Sequence, residues 1–270
     1  MSSISTEDGL KLHVEISGIG SPVIFSSGYC QTGQNFSGQV DSLVDAGFKV
    51  VRWDYRGHGQ SDAPSGSHLY SLEKVLVDLR KIVDFTSPKE PVVLAGLSFG
   101  GLASLHFALH FPDRVRALVL ISTGPGFKKP EAQRAWSEQV ERIAKRLEKT
   151  GFNGWTEGAA AKLAIGLNPS LPAAQAAGQA ILSQDPEGVA HFGRKITALA
   201  PGVVDDLDRI KQPAFILVGE HDKAFLRAGE VMASRLPNAK HTIVPSAGHV
   251  INIDQEEFFN RELLRFLESL

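Results

Sequence analysis

Residues 92–101 read Val-Val-Leu-Ala-Gly96-Leu97-Ser98-Phe99-Gly100-Gly101. An apolar, β-branched run reaches Gly-x-Ser-x-Gly, and a helix-forming stretch follows. A serine at such a junction sits on a sharp strand-to-helix turn, its hydroxyl held at the top of a sheet and at the positive end of a helix. The turn forces the serine backbone into a sparsely populated conformation. Side chains two positions to either side would collide, and glycine removes them. The chemistry such a residue offers is nucleophilic attack on a carbonyl, which needs a base, an orienting acid and donors for the oxyanion.

Nine histidines could supply the base. His13 alternates along what reads as an edge strand, His106 and His110 ride a helix, and His191 and His241 fall at surface or element-end positions. His249 differs. It follows strand-like residues 240–245 and the loop Pro-Ser-Ala-Gly248, and it precedes an amphipathic helix. That puts it at a strand's carboxyl end, where open α/β sheets build their sites. Asp222, in Val218-Gly-Glu-His-Asp222, lies a short loop beyond another strand and completes the chain order Ser, Asp, His. Glu220 and Asp254 are the competing acids.

The elements that must position these residues follow from periodicity. Residues 11–17 alternate as a half-exposed strand, and 23–25, 49–53, 91–95, 115–121, 214–218 and 240–245 are short apolar runs. Between them lie helix-like stretches at 34–47, 71–85, 99–111, 224–236 and 254–268. Short buried strands separated by helices imply βαβ units and a mostly parallel sheet. The rhythm breaks at about residue 124 and returns at about 212. The stretch between is rich in Ala, Glu, Gln, Lys and Arg and reads as helices without strands. The expected organisation is an α/β core of residues 1–127 and 206–270, with residues 128–205 as an all-helical cap over the carboxyl ends of the strands. Such a lid gives a closed cavity for small or medium substrates rather than an open face for polymers.

Composition narrows the function classes. A chain of 270 residues that is 43% hydrophobic can bury one large core with a small appended lid. Its net charge of −2, with signs mixed along the chain, gives no basic stripe for nucleic acid and no polybasic membrane patch. Cys30 is the only cysteine, which excludes an intrachain disulfide and a cysteine-based zinc site. It reads as a small buried hydrophobe. Gly18-Ile-Gly20 lacks the third glycine of a dinucleotide fingerprint. The first residues carry no secretory signal, and no window is apolar enough to span a bilayer. The expectation is a cytoplasmic protein without metal or organic cofactor; its oligomeric state is not legible.

Asp54-Tyr-Arg56-Gly57-His58-Gly59-Gln-Ser61-Asp62 resembles the D-x-R-G-x-G-x-S loop of the α/β-hydrolase superfamily. With Gly96 to Gly101, it extends the resemblance over nearly all of the chain except the helical insertion. The loop reads as a tight turn at Gly57 and Gly59 with Arg56 and Asp62 paired, and without a catalytic role. A second hallmark of that family, a His-Gly after the strand at 23–27, is missing: the chain reads Ser26-Ser27-Gly28-Tyr29-Cys30, with Ser27 in the histidine's place. The resemblance implies an oxyanion hole formed by the backbone N–H groups of Tyr29 and Phe99, and it leaves open what supports the loop.

Serine, imidazole and two amide donors imply hydrolysis of a carboxylic ester, including lactones and small acyl esters, through an acyl-enzyme. The segments 122–131 and 219–225 are also similar to the SHCHC synthases of menaquinone synthesis, where the same triad abstracts a proton and expels pyruvate. Arg194 is the one candidate to hold so acidic a substrate. Carbon–carbon hydrolases share the frame but resemble the chain less, because Val250 follows His249 where that group has an aromatic residue. A ligand receptor with a retained triad is the non-enzymatic alternative. Phe127, Trp136, Phe152, Trp155, Phe192 and Val250 are candidates to line the substrate cavity, each equally credible as a packing residue.

Overall fold

The structure, a computed structural model, describes residues 2–270. Its eight strands are β1 (Ser2–Ser5), β2 (Lys11–Ser17), β3 (Ser21–Ser26), β4 (Phe48–Trp53), β5 (Val92–Leu97), β6 (Val115–Ile121), β7 (Ala214–Gly219) and β8 (Ala239–Val244). They form one sheet in the order β1-β2-β4-β3-β5-β6-β7-β8. The first two strands pair antiparallel and the rest run parallel. Because β1 pairs outside β2, His13 is not on an edge strand. The Ser-rich β1 has only Ile4 to bury, too little for a periodic signal.

Strand side chains alternate between the two faces, and each face has its own core. Ile24, Leu94, Leu118, Leu120 and Ile216 pack on one side, with α2 (Leu72–Thr86), α3 (Phe99–His110) and α8 (Lys223–Arg235). Val23, Phe25, Val93, Val119 and Leu217 pack on the other, with α1 (Val40–Asp45) and the C-terminal α9 (Ile251–Asp254) and α10 (Glu256–Glu268). Double-sided burial is why β5, β6 and β7 read as unbroken apolar runs. In α2, Leu72, Val75, Leu76, Leu79, Ile82 and Val83 make the buried stripe, and Ser71 Oγ caps the first turn by accepting from Lys74 N–H at 3.3 Å. Residues 34–47 are not one helix: a 3₁₀ segment, Gly33–Gln39, is kinked at Phe36 before α1 begins.

Between β6 and β7 the chain forms α4 (Pro130–Thr150), α5 (Gly158–Ala164), α6 (Pro172–Leu182) and α7 (Pro186–Phe192), followed by a π-helical turn, Gly193–Thr197. Proline opens α4, α6 and α7, where its missing N–H costs nothing. The insertion leaves and returns at neighbouring points, with Val203 N–H donating to Pro125 O at 2.7 Å. Its helices dock on the loops at the carboxyl ends of β3, β4 and β5. Among the described residues no helix is long and apolar enough to cross a membrane.

Candidate active site

Ser98 lies between β5 and α3 with φ +55° and ψ −116°, a region that L-residues rarely occupy. The packing around it over-determines this strain. Ser98 N–H donates to Ile121 O at 2.9 Å, and Ser98 O accepts from Thr123 Oγ1 at 2.5 Å and Gly101 N–H at 3.0 Å. A Cβ on Gly96 would sit 2.3 Å from the Gly100 carbonyl, and one on Gly100 would sit 2.1 Å from Ser26 O. Both positions therefore exclude any side chain. The hydroxyl is half-buried, at the N-terminus of the 12-residue α3.

His249 and Asp222 are brought together across the ends of β7 and β8. His249 Nδ1 lies 2.8 Å from Asp222 Oδ2, with both residues buried at 8% and 6% exposure. Nδ1–H donating to the carboxylate leaves Nε2 as the free base of the neutral ring. Asp222 precedes the 13-residue α8, whose N-terminal dipole favours its negative charge. Phe225, in the first turn of α8, packs its ring 5.1 Å from the imidazole. The competing acids are engaged elsewhere. Glu220 is exposed and accepts from Ser246 N–H at 2.9 Å. Asp254 accepts from Gly248 N–H at 2.7 Å and Leu167 N–H at 2.6 Å, and burial raises its carboxyl pKa. Asp254 thus ties the His249 loop to the insertion. Ser98 Oγ makes no hydrogen bond among the described residues, so the serine–imidazole contact is not closed here; such contacts commonly tighten only with substrate bound.

The loop after β3 lies directly against Ser98: a Cβ on Gly28 would come within 3.2 Å of Ser98 Cβ. Among the described residues, neither Tyr29 N–H nor Phe99 N–H donates to a protein acceptor, which leaves both amides available to a developing oxyanion. Support for the loop, in the absence of a histidine at Ser27, comes from four side chains. Tyr55 Oη donates to Ser27 O at 3.1 Å, and Trp53 Nε1 donates to Ser26 Oγ at 2.9 Å. Gln31 Oε1 accepts from Gly28 N–H at 2.9 Å, and His58 Nε2 accepts from Cys30 N–H at 3.2 Å. Cys30 is itself strained, at φ +67°. Accepting at Nε2 requires a neutral His58 ring, and burial among Tyr29, Tyr55 and Phe192 lowers its pKa to about 3. Burial likewise pushes the Cys30 thiol up, leaving it protonated and unreactive.

The Asp54–Asp62 motif therefore does more than turn. Two of its residues, Tyr55 and His58, brace the loop after β3, and Asp54 holds Gly33 N–H at 2.8 Å and Gln60 N–H at 3.0 Å. The expected Arg56–Asp62 pair does not form. Arg56 is buried and pairs with Asp78 at 2.7 Å and Asp8 at 2.9 Å, while Asp62 accepts from Lys11 N–H at 2.8 Å. Spacing within the loop suggested the nearer acid. The partners come from β1–β2 and α2, which no local pattern reveals.

Among the candidate cavity residues, Phe192 is fully buried in a core of aromatic rings. Its ring is 5.2 Å from Phe99, 5.2 Å from Tyr55 and 6.4 Å from Tyr29. Trp155 packs on Phe152 at 5.5 Å and under the Arg146 guanidinium at 5.1 Å, so both aromatics serve the insertion's own core. Trp136 donates to Thr197 O at 2.9 Å and lies by Phe127, which is 41% exposed. Val250 is fully buried in the sheet's core and offers substrate no surface. Arg194 pairs with Glu141 at 2.7 Å and with Glu148, both on α4, and these two carboxylates take four of its five N–H donors. A cleft of about 400 Å³ between the core and α6, lined by Glu15, Arg52, Gln60 and Gln179 among others, includes none of Ser98, Asp222 and His249. Among the described residues no cluster of three or more His, Cys, Asp or Glu could hold a metal ion. Gln31, His58, Thr123 and Phe225 were not identifiable as site residues from sequence, although His58, Thr123 and Phe225 lie in segments that sequence singles out.

The model of the alpha/beta hydrolase fold family matches residues 21–256. A candidate 2-succinyl-6-hydroxy-2,4-cyclohexadiene-1-carboxylate synthase of Bacillus subtilis is 28% identical, over 99% of this chain and 98% of its own. A candidate carbamate hydrolase, RutD, of Variovorax paradoxus is 29% identical over 96% of each. Among solved structures, a thermophilic esterase from Thermogutta terrifontis superposes with a TM-score of 0.85 at 28% identity, covering 99% of this chain and 98% of that one. MenH from S. aureus gives the same TM-score at 26% identity, covering 95% and 98%.

Proposed function

The chain belongs to the α/β-hydrolase family, and within it we propose that Ser98, His249 and Asp222 hydrolyse carboxylic esters of small to medium, uncharged substrates. The observation that carries the reading is the buried His249–Asp222 bond of 2.8 Å at the sheet end that also presents Ser98 on its strained turn. In this mechanism His249 Nε2 takes the Ser98 proton as Oγ attacks the ester carbonyl. Asp222 holds the tautomer and stabilises the imidazolium that forms. The tetrahedral oxyanion is received by the N–H groups of Tyr29 and Phe99; one such donor is worth about 10²–10³ in kcat. Collapse expels the alcohol, protonated by His249, and leaves an acyl-Ser98. Water activated by the same imidazole then releases the acid.

Residues 128–205 act in this reading as the cap over the site, excluding bulk water and limiting substrate size. A panel of p-nitrophenyl esters of rising acyl length tests the proposal. The expected result is best kcat/KM for short chains, lost in Ser98→Ala; turnover undiminished by that substitution would overturn it.

The synthase reading has support from the Bacillus subtilis relative, 28% identical over 99% of this chain. It needs cationic donors for an acidic substrate, and Arg194 is already taken by two glutamates. Turnover of the SHCHC-synthase substrate faster than any ester in the panel would reverse the order of the two readings.

A further inference from the structure

Gln31 is 2% exposed, and both ends of its amide are used. Its Oε1 accepts from Gly28 N–H at 2.9 Å, within the loop that carries the Tyr29 amide. Its Nε2 reaches into the insertion and donates to Leu163 O at 3.1 Å and Ala164 O at 3.2 Å. Those carbonyls close α5, where the last turn has no intrahelical donors of its own. Asn35 Nδ2 adds a bond to Ala164 O at 2.8 Å. A second glutamine completes the clamp from the other side: Gln184 Nε2 donates to Cys30 O at 3.1 Å, and its Oε1 accepts from Gly59 N–H at 3.1 Å. Tyr29 thus lies between two residues, Gly28 and Cys30, whose backbone groups are held through side chains that bridge core and insertion.

We propose that Gln31 is a positioning residue that couples docking of the helical insertion to the oxyanion hole. One planar amide cannot satisfy Gly28 and α5 independently: if α5 lifts, Nε2 loses two acceptors and the ring of bonds that aims Tyr29 N–H at the Ser98 adduct is released. A donor misplaced by about 1 Å forfeits much of its effect on the transition state, on the order of 10- to 100-fold in rate. The inference rests on the serine-hydrolase reading and extends it, since the hole is then complete only with the insertion seated.

The two ends of the amide can be separated chemically. Gln31→Met removes both bonds at similar length. Gln31→Glu keeps the acceptor for Gly28 but sets a carboxylate oxygen against the α5 carbonyls, and a protonated carboxyl becomes a donor again. On p-nitrophenyl acetate, Gln31→Met should lower kcat by roughly 10- to 100-fold with KM little changed, and should weaken a trifluoromethyl ketone, which forms a tetrahedral adduct on Ser98, by a similar factor. Gln31→Glu should show that loss at pH 8 and recover relative to wild type at pH 5.5; Gln31→Met should not recover. In wild type, the ketone should slow hydrogen exchange at residues 28–31 and 158–167 together, a measurement that needs no variant to fold. Kinetics of a folded Gln31→Met within twofold of wild type, a loss confined to KM, or ketone protection of 28–31 without 158–167 overturns the coupling alone. A wild type that binds no ketone overturns the serine-hydrolase reading beneath it.

Discussion

The division of labour among the buried polar residues is sharpest at Asp222 and His58. Asp222 has one side-chain partner, the His249 imidazole, so its substitution bears on the base alone. Asp222→Asn should lower kcat by about 10⁴ with KM little altered, because the amide would favour the wrong tautomer. Glu220→Gln, on an exposed residue bonded only to Ser246 N–H, should leave the rate near wild type. Steady-state kinetics of the two variants would reassign the acid if the pattern were reversed. His58 acts on stability. Its folded pKa is lowered to about 3 by burial, whereas an unfolded histidine titrates near its ordinary value of 6.5. Between those values the unfolded state binds the proton and the native state does not, so stability falls as pH drops through that window and is fully regained above it. His58→Gln, which keeps an acceptor for Cys30 N–H, should lose less Tm than wild type between pH 7 and pH 4.5. Equal losses in scanning calorimetry would remove His58 from the account. Asp222 is a candidate that chain order offers, but the part of His58 was not legible in the sequence: it sits in a motif whose glycines already explain its turn, and its partners lie in another loop and in the insertion.

At the scale of elements, one tight constraint is the crossing of α3 over the end of β3. The 2.1 Å approach between a Cβ on Gly100 and Ser26 O involves backbone on both sides, so no side chain can swing aside. Gly100→Ala should cost roughly 1–3 kcal/mol, as overpacked cores do, and lower Tm by several degrees. It should also reduce activity beyond the stability loss, because the displaced Ser26 leads into the oxyanion loop. A Tm equal to wild type would show the crossing to be slacker than these distances allow. The turn's need for glycines at positions 96 and 100 could be read from sequence, in Gly-x-Ser-x-Gly between a β-branched run and a helix, whereas the crossing over β3 could not. The strands β3 to β7 were equally legible, being buried on both faces. The kink at Phe36 and the break at Gln255 between α9 and α10 were not, because the apolar spacing continues through both while the backbone does not.

Across the whole molecule, sequence placed the three candidate side chains, Ser98, Asp222 and His249, at strand ends but could not place the insertion's side chains, whose contacts span most of the chain. Phe192 meets Tyr55 and Phe99, Gln184 meets Cys30 and Gly59, and Leu167 meets Asp254; each contact joins residues far apart in sequence. Contacts within the insertion pair Arg194 with glutamates and fold Trp155 into its own core, two outcomes that residue type alone does not distinguish from substrate binding. The central claim is that one serine on this scaffold is an activated nucleophile. A fluorophosphonate ester, followed by intact mass and peptide mapping, tests it directly. The account predicts one covalent adduct per chain, on Ser98, formed much more slowly in Asp222→Asn and absent in Ser98→Ala; no adduct, or one that persists in Ser98→Ala, would contradict it.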